Sequence, residues 1–259
     1  MQINKQFRSR IGFPTDETIT FETLPVILEK TALAIPFENL SIIRNEIHPL
    51  TLNNVAEKIL IRNQGGLCYE LNTILYQFLM ENGFEVTLVL GSTYNAERLT
   101  WSPTGRTHVI NILTYKGNKY AVDTGFGGNL PLVPVPLTGE CVSSRNGEFR
   151  IKEERTEYGN YVLEMKLRHK HQDWVTGYTL DTTRPVKDLN ELSRVQQIIV
   201  ESDQSPFNKN YLVTRITEKG NMILTDSSFT NRIDGKELKE NIQANQFELF
   251  LKSYFNIVK

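Results

Sequence analysis

At Gly83 the hydrophobic period of this 259-residue chain changes, and that change constrains the fold more than any other feature of the sequence. Before it, apolar residues recur at helical spacing. Phe21, Leu24, Leu28 and Thr31 do so in TFETLPVILEKTALAIPFEN, and Leu52, Val55, Ile59 and Leu60 in TLNNVAEKIL. A third set, Leu71, Ile74, Leu75, Phe78 and Leu79, follows Cys68, with Asn82-Gly83 as a C-terminal stop. After Gly83 the period is two, or the apolar runs are short: EVTLVLGST, HVINILTY, KYAVD and YVLEMKLR. A helical repeat buries one stripe, whereas a two-residue repeat buries alternate side chains of a strand, so the two halves require different structures. The pattern predicts a helical first third and an antiparallel sheet in the middle third, closed or nearly closed, with KGN (117–119) as a hairpin turn.

The last third mixes a helix over DLNELSRVQQIIVES, a hairpin from YLVTRIT through EKGN to MILTD, and a helical run from about Glu237. Helices segregate from strands, which predicts an α+β fold. The expected division is residues 1–83, 84–187 and 188–259. Residues 92–108, STYNAERLTWSPTGRTH, form the longest stretch without a period of its own, and long loops of this kind are often functional.

With 29 basic against 30 acidic side chains the net charge is −1, which offers no attraction to nucleic acid or an anionic membrane. No apolar run approaches the length of a spanning helix, and MQINKQFRSRIGF lacks the apolar stretch of a signal peptide, so a cytoplasmic protein is expected. In that compartment Cys68 and Cys141 would both be thiols. No C-x2-C or H-x3–5-H spacing suggests zinc, and no metal is expected.

In RNQGGLCYELN, a Gly-Gly turn feeds Cys68 into a helix, placing its sulfur near the free N–H groups and positive dipole end of the first turn. That favours a reactive thiolate, but a small buried cysteine fits the position equally. His108 opens HVINILTY and Asp123 closes KYAVD before the glycine-rich TGFGG. If the two strands pair through the turn at 116–119, both residues reach one end of a hairpin. A carboxylate there can accept Nδ1–H of the imidazole and direct the other nitrogen to a thiol. Singly, His108 reads as a rim histidine and Asp123 as a turn former; with Cys68 they make a Cys/His/Asp set. Cys141, in the polar TGECVSSRNG, reads as incidental. His169 and His171 read as solvated, and His48 as a loop residue.

The segments RNQGGLCYELN, RTHVINIL and YAVDTGFGG resemble, in order and separation, the signature segments of the arylamine N-acetyltransferases. RIGF, IPFENL and SPFNKNYLVTR extend the resemblance nearly end to end. The resemblance implies a helical N-terminal domain carrying the cysteine, an antiparallel β-barrel carrying His and Asp, and an α/β C-terminal lid. The Cys/His/Asp arrangement would be papain-like. It implies a Cys68–His108–Asp123 triad and ping-pong acetyl transfer from acetyl-coenzyme A, a cosubstrate rather than a bound cofactor. The acceptors would be aromatic amines, arylhydrazines or N-hydroxyarylamines, as in xenobiotic metabolism. Phe37, Phe126 and Phe207 would wall the acceptor pocket, while Thr124, Gly125 and Gly127 of TGFGG, with Thr104 and Gly105, would meet coenzyme A.

One position departs from the resemblance. Four residues before its cysteine the family commonly has arginine, expected to pair with a carboxylate such as Glu38, but here the residue is Gln64. Arg62 and Arg10 are the expected substitutes. The competing functions are a related amide synthase, a Cys/His/Asp hydrolase or transglutaminase-like enzyme, and a catalytically silent homologue that only binds.

Overall fold

The computed structural model describes residues 3–258. The first segment holds α1 (Ile3–Ile11), α2 (Leu24–Ala34), the two-residue strand β1 (Phe37–Glu38), α3 (Leu40–Ile43), α4 (Leu52–Ala56) and α5 (Cys68–Glu81). α4 runs on into a wide π-type turn, Glu57–Ile61, so the TLNNVAEKIL periodicity is helical but not uniformly α. α5 is enclosed by its neighbours over its first two turns, every residue from Cys68 to Leu75 being buried. It ends as its sequence predicts. Gly83 takes φ +81°, while the N–H groups of Gly83 and Phe84 reach the carbonyls of Met80 and Leu79, closing a Schellman cap.

The strands that follow are β2 (Glu85–Gly91), β3 (Tyr94–Asn95), β4 (Thr100–Trp101), β5 (His108–Tyr115), β6 (Asn118–Val122) and β7 (Val135–Pro136). They continue with β8 (Val142–Ser144), β9 (Gly147–Glu153), β10 (Tyr161–Leu167) and β11 (Val175–Leu180). β2, β5, β6 and β7 form one antiparallel sheet, and β11, β10, β9 and β8 a second. Their facing side chains, among them Ile110, Ile112, Phe149, Ile151, Leu163 and Leu180, make a common core. The unpatterned 92–108 loop carries the small β3–β4 hairpin.

The expected barrel is not formed, because neither sheet closes. The sheets join on one side only, where the N–H groups of Thr179 and Asp181 in and beyond β11 reach the carbonyls of Ser92 and Leu90 by β2. On the other side the chain runs through PLVPVPL, whose prolines have no N–H to give a ladder, and the edge strands there are two or three residues long.

The third segment has α6 (Leu189–Glu201), then β12 (Leu212–Thr217), β13 (Gly220–Thr225), β14 (Ser228–Ile233), β15 (Lys236–Asn241) and the short α7 (Phe247–Phe250). β1 joins this sheet, giving the order β1-β12-β13-β14-β15. The terminal helical run expected from about Glu237 begins only at Ala244 and continues to Phe255, and residues 236–241 ahead of it are a strand. Asp234-Gly235 supplies the two positive-φ residues of a tight hairpin, and Glu237 pairs with Arg232 across the ladder. Among the described residues, no helix is long and apolar enough to cross a membrane.

Candidate active site

Cys68 begins α5 and is 6% exposed. Its lead-in is threaded between β1 and the helix: Glu38 N–H donates to the Gly66 carbonyl (3.0 Å) and Gly66 N–H to that of Pro36 (3.3 Å). A side chain on Gly65 would collide with the Pro36 carbonyl, and one on Gly66 would sit 2.7 Å from the Glu70 carboxylate. Both glycines are therefore required by close approach. Leu67 N–H donates to Glu70 Oε2 (2.9 Å), capping the helix at its start. The Cys68 thiol donates to the Thr107 carbonyl (3.4 Å), one residue before His108.

β5 and β6 pair with Tyr115 opposite Asn118 and Asn111 opposite Val122, through a Lys116-Gly117 turn with both φ values positive. Counting outward from that register brings His108 and Asp123 to one end, as expected. His108 Nε2 donates to Asp123 Oδ2 at 2.9 Å. The nitrogen expected to face the carboxylate was Nδ1; the ring is turned the other way, leaving Nδ1 as the nitrogen available to Cys68, with whose side chain the imidazole interacts. The carboxylate is fixed by Asn72 (2.8 Å) and the Gly125 N–H (2.6 Å) through Oδ1, and its remaining oxygen meets Nε2.

Burial disfavours a charged imidazole. The Asp123 charge and hydrogen bond, aided by Cys68, nevertheless push the His108 pKa up to about 10. Burial likewise opposes a charged Asp123, but His108, Asn72 and the Gly125 N–H hold it below the usual carboxylate range.

Two supporting residues escaped the sequence reading. Asn72 donates to Asp123 Oδ1 (2.8 Å) and to the Val109 carbonyl (2.7 Å) and accepts from Thr124 N–H (3.0 Å), tying helix to hairpin. It lies four residues after Cys68 on the same helical face, so a polar residue at a buried register position was the available signal. Tyr178 packs against His108 with the rings tilted and their centroids 4.5 Å apart and is wholly buried, and burial followed by Asp123 raises its pKa well above the ordinary phenol value. Nothing in VTGYTL announced it.

Of the residues expected to bind substrates, Phe37 and Phe207 meet edge to face at 5.6 Å, and Phe126 packs against His108 at 5.3 Å and Tyr178 at 4.9 Å. All three are partly exposed. A side chain on Gly127, next to Phe126, would touch Phe37 at 3.7 Å. Thr104 shares hydroxyl hydrogen bonds with Ser102 and Thr107, and Gly105 turns at φ +67°.

The N–H groups of Thr124 and Gly125 are bonded to Asn72 and Asp123, and a side chain on Gly125 would lie 2.6 Å from the Cys68 Cα.

The cation that meets Glu38 is neither Arg62 nor Arg10. Arg10 is spent on the carbonyls of Ile59 and Asn63, and it is Lys58 Nζ that lies 3.4 Å from Glu38 and 2.8 Å from Glu70. Cys141 is exposed, and His171 Nδ1 accepts from the Leu167 N–H. Among the described residues, no group of three or more His, Cys, Asp or Glu is arranged to hold a metal.

A profile of a family described as N-acetyltransferase matches residues 20–258. The chain is 38% identical over 247 residues to the uncharacterized acetyltransferase YvcN of Bacillus subtilis (strain 168), covering 95% of this chain and 94% of that protein. It is 33% identical over 284 residues to the probable arylamine N-acetyltransferase 3 of Dictyostelium discoideum, covering 97% and 92%. The fold superposes on the crystal structure of an arylamine N-acetyltransferase from Bacillus cereus with a TM-score of 0.94, 40% identity and full coverage of both chains. That enzyme is described as having a unique Cys-His-Glu catalytic triad, whereas the carboxylate bonded to His108 here is an aspartate.

Proposed function

Since the chain belongs to the arylamine N-acetyltransferase family, we propose that it transfers acetyl from acetyl-coenzyme A to aromatic amines, arylhydrazines or N-hydroxyarylamines through an acetyl-Cys68 intermediate. The observation that carries the reading is the buried Cys68, His108 and Asp123 chain of contacts at the start of α5.

Cys68 is the nucleophile, His108 the acid and base, and Asp123 the group that holds the imidazole charged and oriented. The Cys68 thiolate attacks the thioester carbonyl, the bond from carbon to the coenzyme sulfur breaks, and the departing thiolate takes a proton from imidazolium His108. The amine nitrogen then attacks the acetyl-cysteine carbonyl. His108 takes the nitrogen's proton as the carbon–sulfur bond to Cys68 breaks, restoring the starting pair. The N–H of Cys68, in a first turn that has no preceding helical carbonyl to bond, is the donor assigned to the developing oxyanion.

Phe37, Phe126 and Phe207 form the apolar walls suited to a flat ring. Thr104, Gly105, Thr124, Gly125 and Gly127 are the candidates for coenzyme A contact. Residues 1–83, 84–187 and 188–259 are assigned as nucleophile, His/Asp and lid units, and the chain as cytoplasmic.

Intact mass after brief exposure to acetyl-coenzyme A, with and without 4-aminobenzoate or an arylhydrazine, tests the proposal. One acetyl on Cys68 that aromatic acceptors discharge and buffer does not is the expected result. A folded protein that gains no acetyl group refutes it and turns attention to another acyl donor, as in the amide synthases.

A further inference from the structure

Behind the nucleophile lies a buried cluster of charge that the acyl-transfer steps do not use. Glu38 is 1% exposed, and Glu70 and Lys58 each 6%. Lys58 Nζ sits 2.8 Å from Glu70 Oε1, 3.4 Å from Glu38 Oε1 and 3.2 Å from Ser41 Oγ. One ammonium therefore serves two carboxylates in a place where water cannot screen them.

Both acidic residues also bond the stretch that carries Cys68, Glu70 through its carboxylate and Glu38 through its backbone. Glu70 Oε2 accepts the Leu67 N–H, and a side chain on Gly66 would press on that same oxygen. Glu38 is bound at its own N–H to the Gly66 carbonyl, and its Oε2 accepts the Leu40 N–H at 2.5 Å. Lys58 is tied in as well: its carbonyl accepts the Gln64 N–H at 3.1 Å. Residues 64–67 thus have hydrogen bonds to three members of one ionic cluster, and the next residue is the nucleophile.

We propose that Lys58 is a positioning residue for the transfer reaction: by neutralising Glu38 and Glu70 together it holds Gln64–Leu67, and through them Cys68, at the working distance from His108. This rests on the assignment of Cys68 as nucleophile. Burial works against a charged lysine, yet the two carboxylates hold its pKa above the ordinary value, so the ammonium persists at neutral pH. Without it the two carboxylates are left unpaired and part, and the segment moves with them, because Glu70 holds it by its carboxylate and Glu38 by its backbone N–H. Gln64 lines the same cavity as Lys58 and Glu70, so a cation introduced at position 64 enters the cluster from the other side.

The test compares wild type with Lys58→Met, Lys58→Arg and the double variant Lys58→Met/Gln64→Arg. The readouts are the rate of Cys68 alkylation by iodoacetamide across pH 5 to 10, the rate of acetylation, and the melting temperature. Lys58→Met is expected to lower both rates by about tenfold to a hundredfold, the size of a small misplacement of a reacting group, and to change the shape of the alkylation profile. Lys58→Arg and the double variant are expected to recover most of the loss.

If Lys58→Met does not fold, Lys58→Gln/Glu70→Gln, which removes the cation together with one carboxylate, is measured in its place and is expected to be slow. Wild-type alkylation rates and profile in a folded protein lacking Lys58 would overturn the proposal. So would recovery of melting temperature without recovery of alkylation in both rescue variants, since that would confine Lys58 to the stability of the fold. Alkylation needs no acetyl-coenzyme A: a wild type that is alkylated but never acetylated refutes the transferase reading, while the role of Lys58 is still decided by the alkylation rates.

Discussion

His108 reaches Asp123 through Nε2, at 2.9 Å, and so presents Nδ1 to the start of the helix that bears Cys68. The imidazole is clamped between a buried carboxylate and a thiol, with the tilted ring of Tyr178 packed against it. In that setting burial opposes a charged ring, but the Asp123 charge and hydrogen bond favour the imidazolium and push its pKa up to about 10.

Replacing Asp123 by asparagine removes the charge that most favours the imidazolium. The titration of His108, followed by NMR, is expected to fall from about 10 toward or below 6.5, since burial then acts unopposed by Asp123. Acetylation of Cys68 should slow by about 10³- to 10⁴-fold, as when a triad carboxylate is neutralised elsewhere. An Asp123→Asn protein that keeps wild-type acetylation rates would remove Asp123 from the mechanism.

The raised pKa of His108 also makes a statement about stability. Its folded value, about 10, lies above the ordinary imidazole value of 6.5, so its contribution is complete below about pH 6.5 and declines as pH rises toward 10. Asp123 has the opposite sign: its contribution is present above the ordinary carboxylate range and is lost as pH falls through its lowered folded value. The gap in melting temperature between wild type and His108→Gln should therefore narrow steadily from pH 7 to pH 10. A gap that widens over that range would show that His108 is neutral in the folded protein.

Cys68→Ser changes one atom at a buried position and should leave the melting temperature nearly unchanged. A hydroxyl beside an imidazolium is a far weaker nucleophile than a thiolate, so turnover with 4-aminobenzoate should fall by about 10³-fold or more and the acetyl adduct should disappear. Persistence of the adduct in the serine variant would move it to another side chain, with the exposed Cys141 the first to be checked.

Asn72→Ala removes the amide that joins Asp123, Val109 and Thr124, leaving buried polar groups unpaired. The expected cost is about 1–3 kcal/mol of folding stability, read from urea denaturation, with slower acetylation as Asp123 loses its second anchor. Unchanged stability would mean that water takes the place of the amide.

The helix bearing Cys68 was legible because its apolar spacing, its glycine lead-in and its Asn-Gly stop are all local signals, and residues 68–81 obeyed them. The His108 and Asp123 placement was legible for a similar reason. A hairpin with a two-residue turn has a register that can be counted from sequence. The strand at 236–241 could have been read in the same way from Asp234-Gly235, and its helical assignment missed a local signal that was present.

The remaining features depended on contacts between segments far apart in the chain. Which imidazole nitrogen faces Asp123 and the use of Lys58 in place of Arg62 or Arg10 each depend on such contacts. The sequence by itself determined the periods, the turns and the set of reactive side chains, because backbone geometry and residue type dictate those locally. Only the tertiary structure decided which charge is buried against which, because the energy of a buried charge depends on every neighbour that excludes water from it, and those neighbours arrive from all three segments of the chain.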